Sequence, residues 1–403
     1  MKVSKESKLR LVSYLSLFIT SSLFAVSGTE YLSDEKQKTL EIEKKVNEKS
    51  ATSLKYDWIE PIVASYSYSK SDQVGTLGTS KYFRVSFNQP VFKSGGIYFA
   101  IRYSNANKAF KDVAFRIKES NLIKSLYDGV LNLKKIDLEI QKALLSVENA
   151  KIDIQRKKEQ FDSGLLDSSF LDSAILKKTG LEHQLLNLKA LKFSTLKSFE
   201  NISDVDYKTI ELPHFKSVTK EEFVKKNLDI AKLKEENEQA RELKNMTISN
   251  YLPTVSLYGD YNHKDDEIQF FKQATEYKSY GARVSMPLFA INRGRDIEIR
   301  KLEYLKAKIA LKEQQEATKR EFLSLENSID ILGQRVEIAQ KDLALYDGLV
   351  NNAKDGLNAG EKTQLDVTTL ENSKSIASYD AKIYDIERQL EILKLYVKMS
   401  DAI

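Results

Sequence analysis

Five prolines and two turn glycines divide this 403-residue chain into two copies of one plan, and that repeat constrains the fold more than any other feature. Pro61 and Pro253 each open an alternating stretch, Ile62-Val63-Ala64-Ser65-Tyr66-Ser67-Tyr68 and Thr254-Val255-Ser256-Leu257-Tyr258-Gly259-Asp260-Tyr261. Pro90 and Pro287 each close a second one, in Gln89-Pro90-Val91-Phe92 and Met286-Pro287-Leu288-Phe289. A long proline-free run follows each, broken by a glycine turn at Gly164 or Gly360. The matched pairs all stand roughly 195 residues apart, and a fixed internal period has to be settled before any other assignment. Pro213 falls between the copies. Each copy reads as a strand pair followed by two long helices.

The alternation within the strands is regular. Phe83, Val85, Phe87 and Val91 take one face of their strand while Arg84, Ser86 and Asn88 take the other. Tyr280, Ala282, Val284 and Met286 likewise oppose Gly281, Arg283 and Ser285. A period of two means a different solvent on each face. Four strands in two distant hairpins have no other β-structure to pack on, and tyrosines and phenylalanines crowd their ends as in an aromatic girdle. These features favour a membrane barrel over a half-buried soluble sheet. The helical runs carry seams of three- and four-residue steps. Leu126, Val130, Leu133, Ile140, Leu144, Val147 and Ile154 form a broken one; Phe322, Leu325, Ile329, Leu332, Val336, Ala339, Leu343, Tyr346 and Val350 form a stricter one. Ile376, Tyr379, Ile383, Ile386, Leu390, Leu393 and Val397 continue it. Such seams are those of coiled coils, and some 65 helical residues would reach about 100 Å.

The N-terminus has the layout of a secretory signal. Lys2, Lys5, Lys8 and Arg10 lead an apolar run from Leu11 to Phe24, and Ala25-Val26-Ser27 offers a small-x-small cleavage site before Gly28. The apolar run falls short of the roughly 20 residues a spanning helix needs. An exported chain without such a helix is soluble in the envelope or spans by strands. One chain supplies four strands, whereas the smallest membrane barrels need about eight, so oligomerisation is required. A dimer would fill its lumen with side chains, and a trimer would open a channel.

Between the copies, Thr219-Lys220-Glu221-Glu222 has the pattern of a capping box, opening a helix expected to run through Ile230 and Leu233 to about Asn245. The expected organisation is a signal over 1–27, an N-terminal periplasmic segment with a short surface helix over 28–60, and a first barrel hairpin over 61–92. A first tunnel helix pair follows over 93–200, then an inter-repeat equatorial segment over 201–250. The second barrel hairpin and the second tunnel helix pair take 251–289 and 290–403.

Tyr251-Leu252-Pro253-Thr254-Val255-Ser256, Val284-Ser285-Met286-Pro287-Leu288-Phe289 and Gly360-Glu361-Lys362-Thr363-Gln364-Leu365-Asp366-Val367 together resemble the outer-membrane efflux protein (TolC) family. Asn88-Gln89-Pro90-Val91-Phe92-Lys93-Ser94-Gly95-Gly96 and Gly164-Leu165-Leu166 are weaker forms in the first copy. The resemblance implies a mainly α protein with a small β part, assembled as a homotrimer. Its 12-stranded outer-membrane β-barrel would be continuous with a 12-helix periplasmic tunnel. It implies an exit duct of a tripartite efflux pump or type I secretion system, served by a periplasmic adaptor and an inner-membrane transporter and embedded in outer-membrane lipid. It also puts the pore constriction at the helix turn near Gly360, where Asp366 would face its symmetry mates in an acidic ring. Such carboxylates would raise one another's pKa. Thr369 stands where several relatives carry a second aspartate. Lys362 takes the place of a basic residue that holds the closed state in some relatives, with Asp167 or Asp172, near Gly164, as its acidic partner. Arg84 and Arg283, on the polar strand faces, are expected in the barrel lumen.

The remaining chemistry is sparse. Lys+Arg of 63 against Asp+Glu of 58 is too balanced for a nucleic-acid partner. The chain has no cysteine, which excludes disulfides, thiolate metal sites, cysteine nucleophiles and a lipid anchor on an N-terminal cysteine. His183, His214 and His263 lie far apart without metal spacing. No enzyme, cofactor or metal is expected. The competing reading is a soluble periplasmic coiled-coil scaffold or adaptor, which would share the signal and the seams.

Overall fold

The strand pairs that the sequence separates by nearly half its length meet in one sheet. In this computed structural model, which describes residues 28–400 apart from 74–75, 214, 216–217 and 269–270, the strands are β1 (Val63–Gln73), β2 (Thr76–Phe92), β3 (Thr254–Ile268) and β4 (Phe271–Ser285). The assigned signal over 1–27 and His214 lie outside the described residues. All neighbours are antiparallel, in the order β1-β2-β3-β4, so among the described residues β1 and β4 each keep one edge without a neighbour. Pro90 does not end β2. The strand continues to Phe92 past a register shift between Pro90 and Phe92, a bulge that lets a residue without an N–H sit in the ladder.

The register sorts the two faces as the alternation predicts. Tyr66, Phe83 and His263 share one face with Val85 and Tyr261, and with Phe87, Gly259 and Tyr280. The other face carries Arg84, Ser86, Asp260, Asn262 and Arg283. Gly259 is needed where it lies, because a Cβ there would fall 2.4 Å from the Phe87 ring.

The helices are α1 (Asp34–Tyr56), α2 (Gly96–Asp162), α3 (Ser168–Glu200), α4 (Lys220–Lys226), α5 (Leu228–Ser249), α6 (Arg293–Asn358) and α7 (Gln364–Tyr396). Among the described residues no helix is long and apolar enough to cross a membrane. The 67 residues of α2 span about 100 Å. The seam residues of α6 and α7 are all buried or half-buried. In α2 the seam is less regular: Leu144 lies exposed and Ala143 takes the inward position, because α2 packs on α1, α3, α5 and α7 at different heights. The expected short N-terminal helix is 23 residues long, with Leu40 in the core and Val46 exposed.

The main core lies where the two copies join, midway along the long helices. Leu126, Tyr127, Val130 and Leu133 of α2 meet Phe199, Ile210, Phe215, Ile392 and Leu393 there. The Phe215 ring stands edge-on to Tyr127 and Tyr396. Tyr127 is fully buried, and burial pushes its hydroxyl up to about 12.

One expectation fails in this region. The helix opened by Thr219 stops at Lys226 rather than running on to Asn245. Asn227 is extended because its backbone bridges Met399, with Leu228 N–H donating to the Lys398 carbonyl and Ser400 N–H to that of Lys226. Its side chain then caps α5 by accepting from Ile230 N–H. Only half of the anticipated capping box forms. Thr219 Oγ1 accepts from Glu222 N–H at 3.3 Å, but the Glu222 carboxylate turns to Lys226 at 3.1 Å.

Candidate functional site

The sheet and the helical end opposite it hold all the site residues that the sequence picks out. On the polar sheet face, Arg84 Nε donates to Asp260 Oδ1 at 3.0 Å, and Tyr82 Oη donates to Asn262 Oδ1 at 2.5 Å. The Arg283 guanidinium lies over the Tyr258 ring, 4.8 Å from its centroid. Each cation on this face thus has a polar or aromatic partner within the sheet.

At the helical end, two turns of identical backbone design reverse the chain. After α2, Leu165 N–H donates to the Gln160 carbonyl and Gly164 N–H to that of Phe161. After α6, Glu361 N–H donates to the Gly356 carbonyl and Gly360 N–H to that of Leu357. Both are Schellman closures, which place the glycine in the left-handed region: φ is +69° at Gly164 and +78° at Gly360. The next helix is capped three residues later in each case, by Asp167 and by Thr363. Asp167 accepts from Ser169 N–H at 2.8 Å, which holds its carboxyl below the usual carboxylate range.

Equal turn lengths resolve the alignment between copies. Asp167 matches Thr363, so Asp366 corresponds to Phe170 and Lys362 to Leu166. Asp366 has no acidic counterpart in the first turn, and Asp172 lies further along α3.

Asp366 completes a capping box. Its Oδ2 accepts from Thr363 N–H at 2.9 Å and from Thr363 Oγ1 at 2.8 Å, while Thr363 Oγ1 accepts from Asp366 N–H. The other oxygen, Oδ1, lies 2.7 Å from Arg156 Nη2 of α2. That nitrogen is buried and not aligned for a hydrogen bond, so the contact is coulombic. The Thr363 hydrogen bonds hold the Asp366 carboxyl below the usual range; burial opposes them, and Arg156 and then Lys362 add smaller lowering effects. Within one chain the direction is opposite to that expected for a bare acidic ring.

Within one chain the other expected partners do not meet. Lys362 folds its stem over Gly356, where an added Cβ would lie 2.8 Å from its Cγ. Among the described residues it makes no ion pair, with Asp167, Asp172 or any other carboxylate. Asp172 is exposed on α3, and the Thr369 hydroxyl donates back to the Leu365 carbonyl at 2.7 Å. Arg156 is the residue that sequence reasoning missed. No local signal announces it, because nothing in the sequence says that the end of α2 meets the start of α7. The capping box did have a signal, the Thr-x-x-Asp spacing at Thr363.

No protein-family profile and no curated protein matches the sequence. Solved structures do match the fold. The outer membrane protein VceC of Vibrio cholerae superposes with a TM-score of 0.70 at 12% identity, over 93% of this chain and 95% of that one. The CmeC outer membrane channel of Campylobacter jejuni gives 0.70 at 15% identity, over 94% and 84%. The open state of the MtrE outer membrane channel of Neisseria gonorrhoeae gives 0.58 at 12%, over 94% and 87%. The chain has the fold of the TolC-type outer-membrane efflux channels, as its motifs implied.

Proposed function

We propose that the chain is one protomer of a homotrimeric outer-membrane duct, exported by its N-terminal signal and matured near Gly28. Three four-stranded sheets would close edge to edge, β4 of one chain beside β1 of the next, into a 12-stranded barrel. Their long helices would continue it as a 12-helix tunnel in the periplasm. The observation that carries this reading is the sheet itself: in the half nearer the helices its two faces have opposite polarity, and among the described residues its two outer edges are unpaired. Unpaired backbone groups are too costly to leave in lipid, so such a sheet has to close. Tyr280 is 87% exposed on the apolar part of its face, and Val284, four residues further along the same strand, is also exposed, which suits a surface turned to lipid.

In this reading the duct receives substrates from a periplasmic adaptor and an inner-membrane transporter, in an efflux pump or a type I secretion system. The α6–α7 turns lie at its periplasmic mouth. Each Asp366 is tied back to Arg156, so the acidic ring is charge-compensated in this conformation. Lys362, with its stem over Gly356, adds a cation near the ring, and Arg84 and Arg283 line the barrel lumen.

The test combines location, assembly and facing. The protein should fractionate with the outer membrane and run as a trimer that heating dissociates. Because the chain has no cysteine, single cysteines can be introduced cleanly. Water-soluble thiol reagents should label positions 84, 86, 283 and 285 and spare 83, 85, 87 and 284. A soluble monomer, or the reverse labelling pattern, would refute the proposal.

A further inference from the structure

The contact between α2 and α7 holds a regular series of polar rungs. On α2 they are Lys135, Lys142, Asn149 and Arg156, each seven residues after the last. Opposite them on α7, which runs the other way, stand Glu387, Asp380, Asn372 and Asp366. The distances are 3.4 Å for Lys135 to Glu387, 2.6 Å for Lys142 to Asp380 and 2.7 Å for Arg156 to Asp366. Asn372 Nδ2 donates to Asn149 Oδ1 at 2.8 Å. Small and branched apolar residues fill the space around the rungs, among them Ala143, Val147, Ala150, Val367, Ala377 and Ile383. Rungs two helical turns apart follow one seam of a coiled coil, and the four together cover about 32 Å.

All three cations are on α2 and all three carboxylates on α7. That polarity fixes which helices pair, but a strictly repeating charge pattern would not fix their axial register. It would recur at every heptad. The asparagine rung breaks the repetition. Sliding α7 by seven residues in either direction would keep one opposite-charge rung, Lys135 with Asp380 or Lys142 with Glu387. The same slip would set Asn149 against Asp366 or Asp380 and leave other charges without partners. A single amide pair among repeating positions is a known means of specifying register at a small cost in stability. We infer that the out-of-pattern rung Asn149–Asn372 sets the single register in which α7 lies along α2, and so the height at which the Gly360 turn meets the end of α2.

The experiment reads register directly, on full-length protein purified in detergent, with a short bifunctional thiol reagent. Ser146 and Ile376 border one groove among α2, α3 and α7 in the observed register, with Thr369 on the same groove about 10 Å further along α7. Cysteines at these two positions should cross-link at least about tenfold more than Ser146→Cys paired with Thr369→Cys or with Ile383→Cys, which report slips of one heptad. Asn149→Lys with Asn372→Asp makes the ladder uniform, so that a slipped register keeps three opposite-charge rungs. The slipped products should then rise to the order of the native one. Asn149→Leu with Asn372→Leu keeps the rung out of pattern and should preserve the native preference. An unchanged preference in the uniform ladder would overturn the inference, since packing alone would then set the register. Loss of preference in both variants would also overturn it, since the amide hydrogen bond rather than the pattern would be responsible. Asn372→Asp alone, a milder change, should raise the slipped products partway, and its failure to do so would overturn the inference even if the double variant did not assemble. The readout does not depend on transport, so its failure would leave the duct reading untouched.

Discussion

The two helical turns have the same backbone and different side chains. Each closes its helix with a left-handed glycine and opens the next with a cap three residues on. Yet the first turn exposes Phe161, Phe170 and Leu165, the last at 75%, and the second exposes no large apolar side chain. The second instead carries Glu361, Lys362 and the Asp366 box with its tie to Arg156. Duplication fixed the geometry of the turn through two residue types, a glycine and a short polar cap. The surface between them was left free to diverge. A shared fold thus predicts where the turns are but not what either one does.

The largest test of the shared part is substitution of the glycines. Nothing lies within 4 Å of a Cβ built on Gly164 or Gly360, so only backbone strain is added. Gly164→Ala and Gly360→Ala should each cost about 1–2 kcal/mol by thermal or denaturant unfolding, and the two should agree. Unequal costs would mean that the turns are not equivalent even in backbone.

The divergent part should show next. Asp366→Ala removes both the capping box and the ion pair, and should cost about 1 kcal/mol. Phe170→Ala, at the matching position of the first copy, should stay within about 0.5 kcal/mol. The same carboxylate sets a pH dependence. Its folded pKa lies below the ordinary 3.8, so its contribution is complete above that value and is lost as pH falls through the folded one. The stability gap between wild type and Asp366→Asn should therefore hold from neutrality down to about pH 4 and shrink only below it. A gap that closes at higher pH would mean that repulsion among ring carboxylates outweighs the cap and Arg156. Lys362→Ala should have the smallest effect, within about 0.5 kcal/mol, because among the described residues its ammonium makes no ion pair.

The strand faces were legible because a period of two records the solvent on each side, and Phe83, Arg84 and Val85 alternate without interruption. The turns were legible through Gly164 and Gly360. Contacts between distant segments were not. The bridge from Asn227 to Met399 breaks a helix whose local sequence is continuous, and a capping signal cannot reveal a strand partner near the C-terminus. Arg156 was hidden for the same reason. Asp366 was singled out through family resemblance, but its part in the cap needed the structure, because the resemblance pointed only to a pore role.

If the chain is the proposed duct, single-channel current in planar bilayers, with a trivalent cation applied from the periplasmic side, tests most directly whether Asp366 of the second turn, and not Asp167 of the first, governs cation binding there. The account predicts weak block of the wild type, because Arg156 offsets each carboxylate, and loss of that block in Asp366→Ala. Arg156→Ala should tighten the block several-fold, because it uncovers the carboxylates, while Asp167→Ala and Phe170→Ala should leave it as it was. Undiminished block in Asp366→Ala, or an equal effect from the first-turn substitutions, would contradict it.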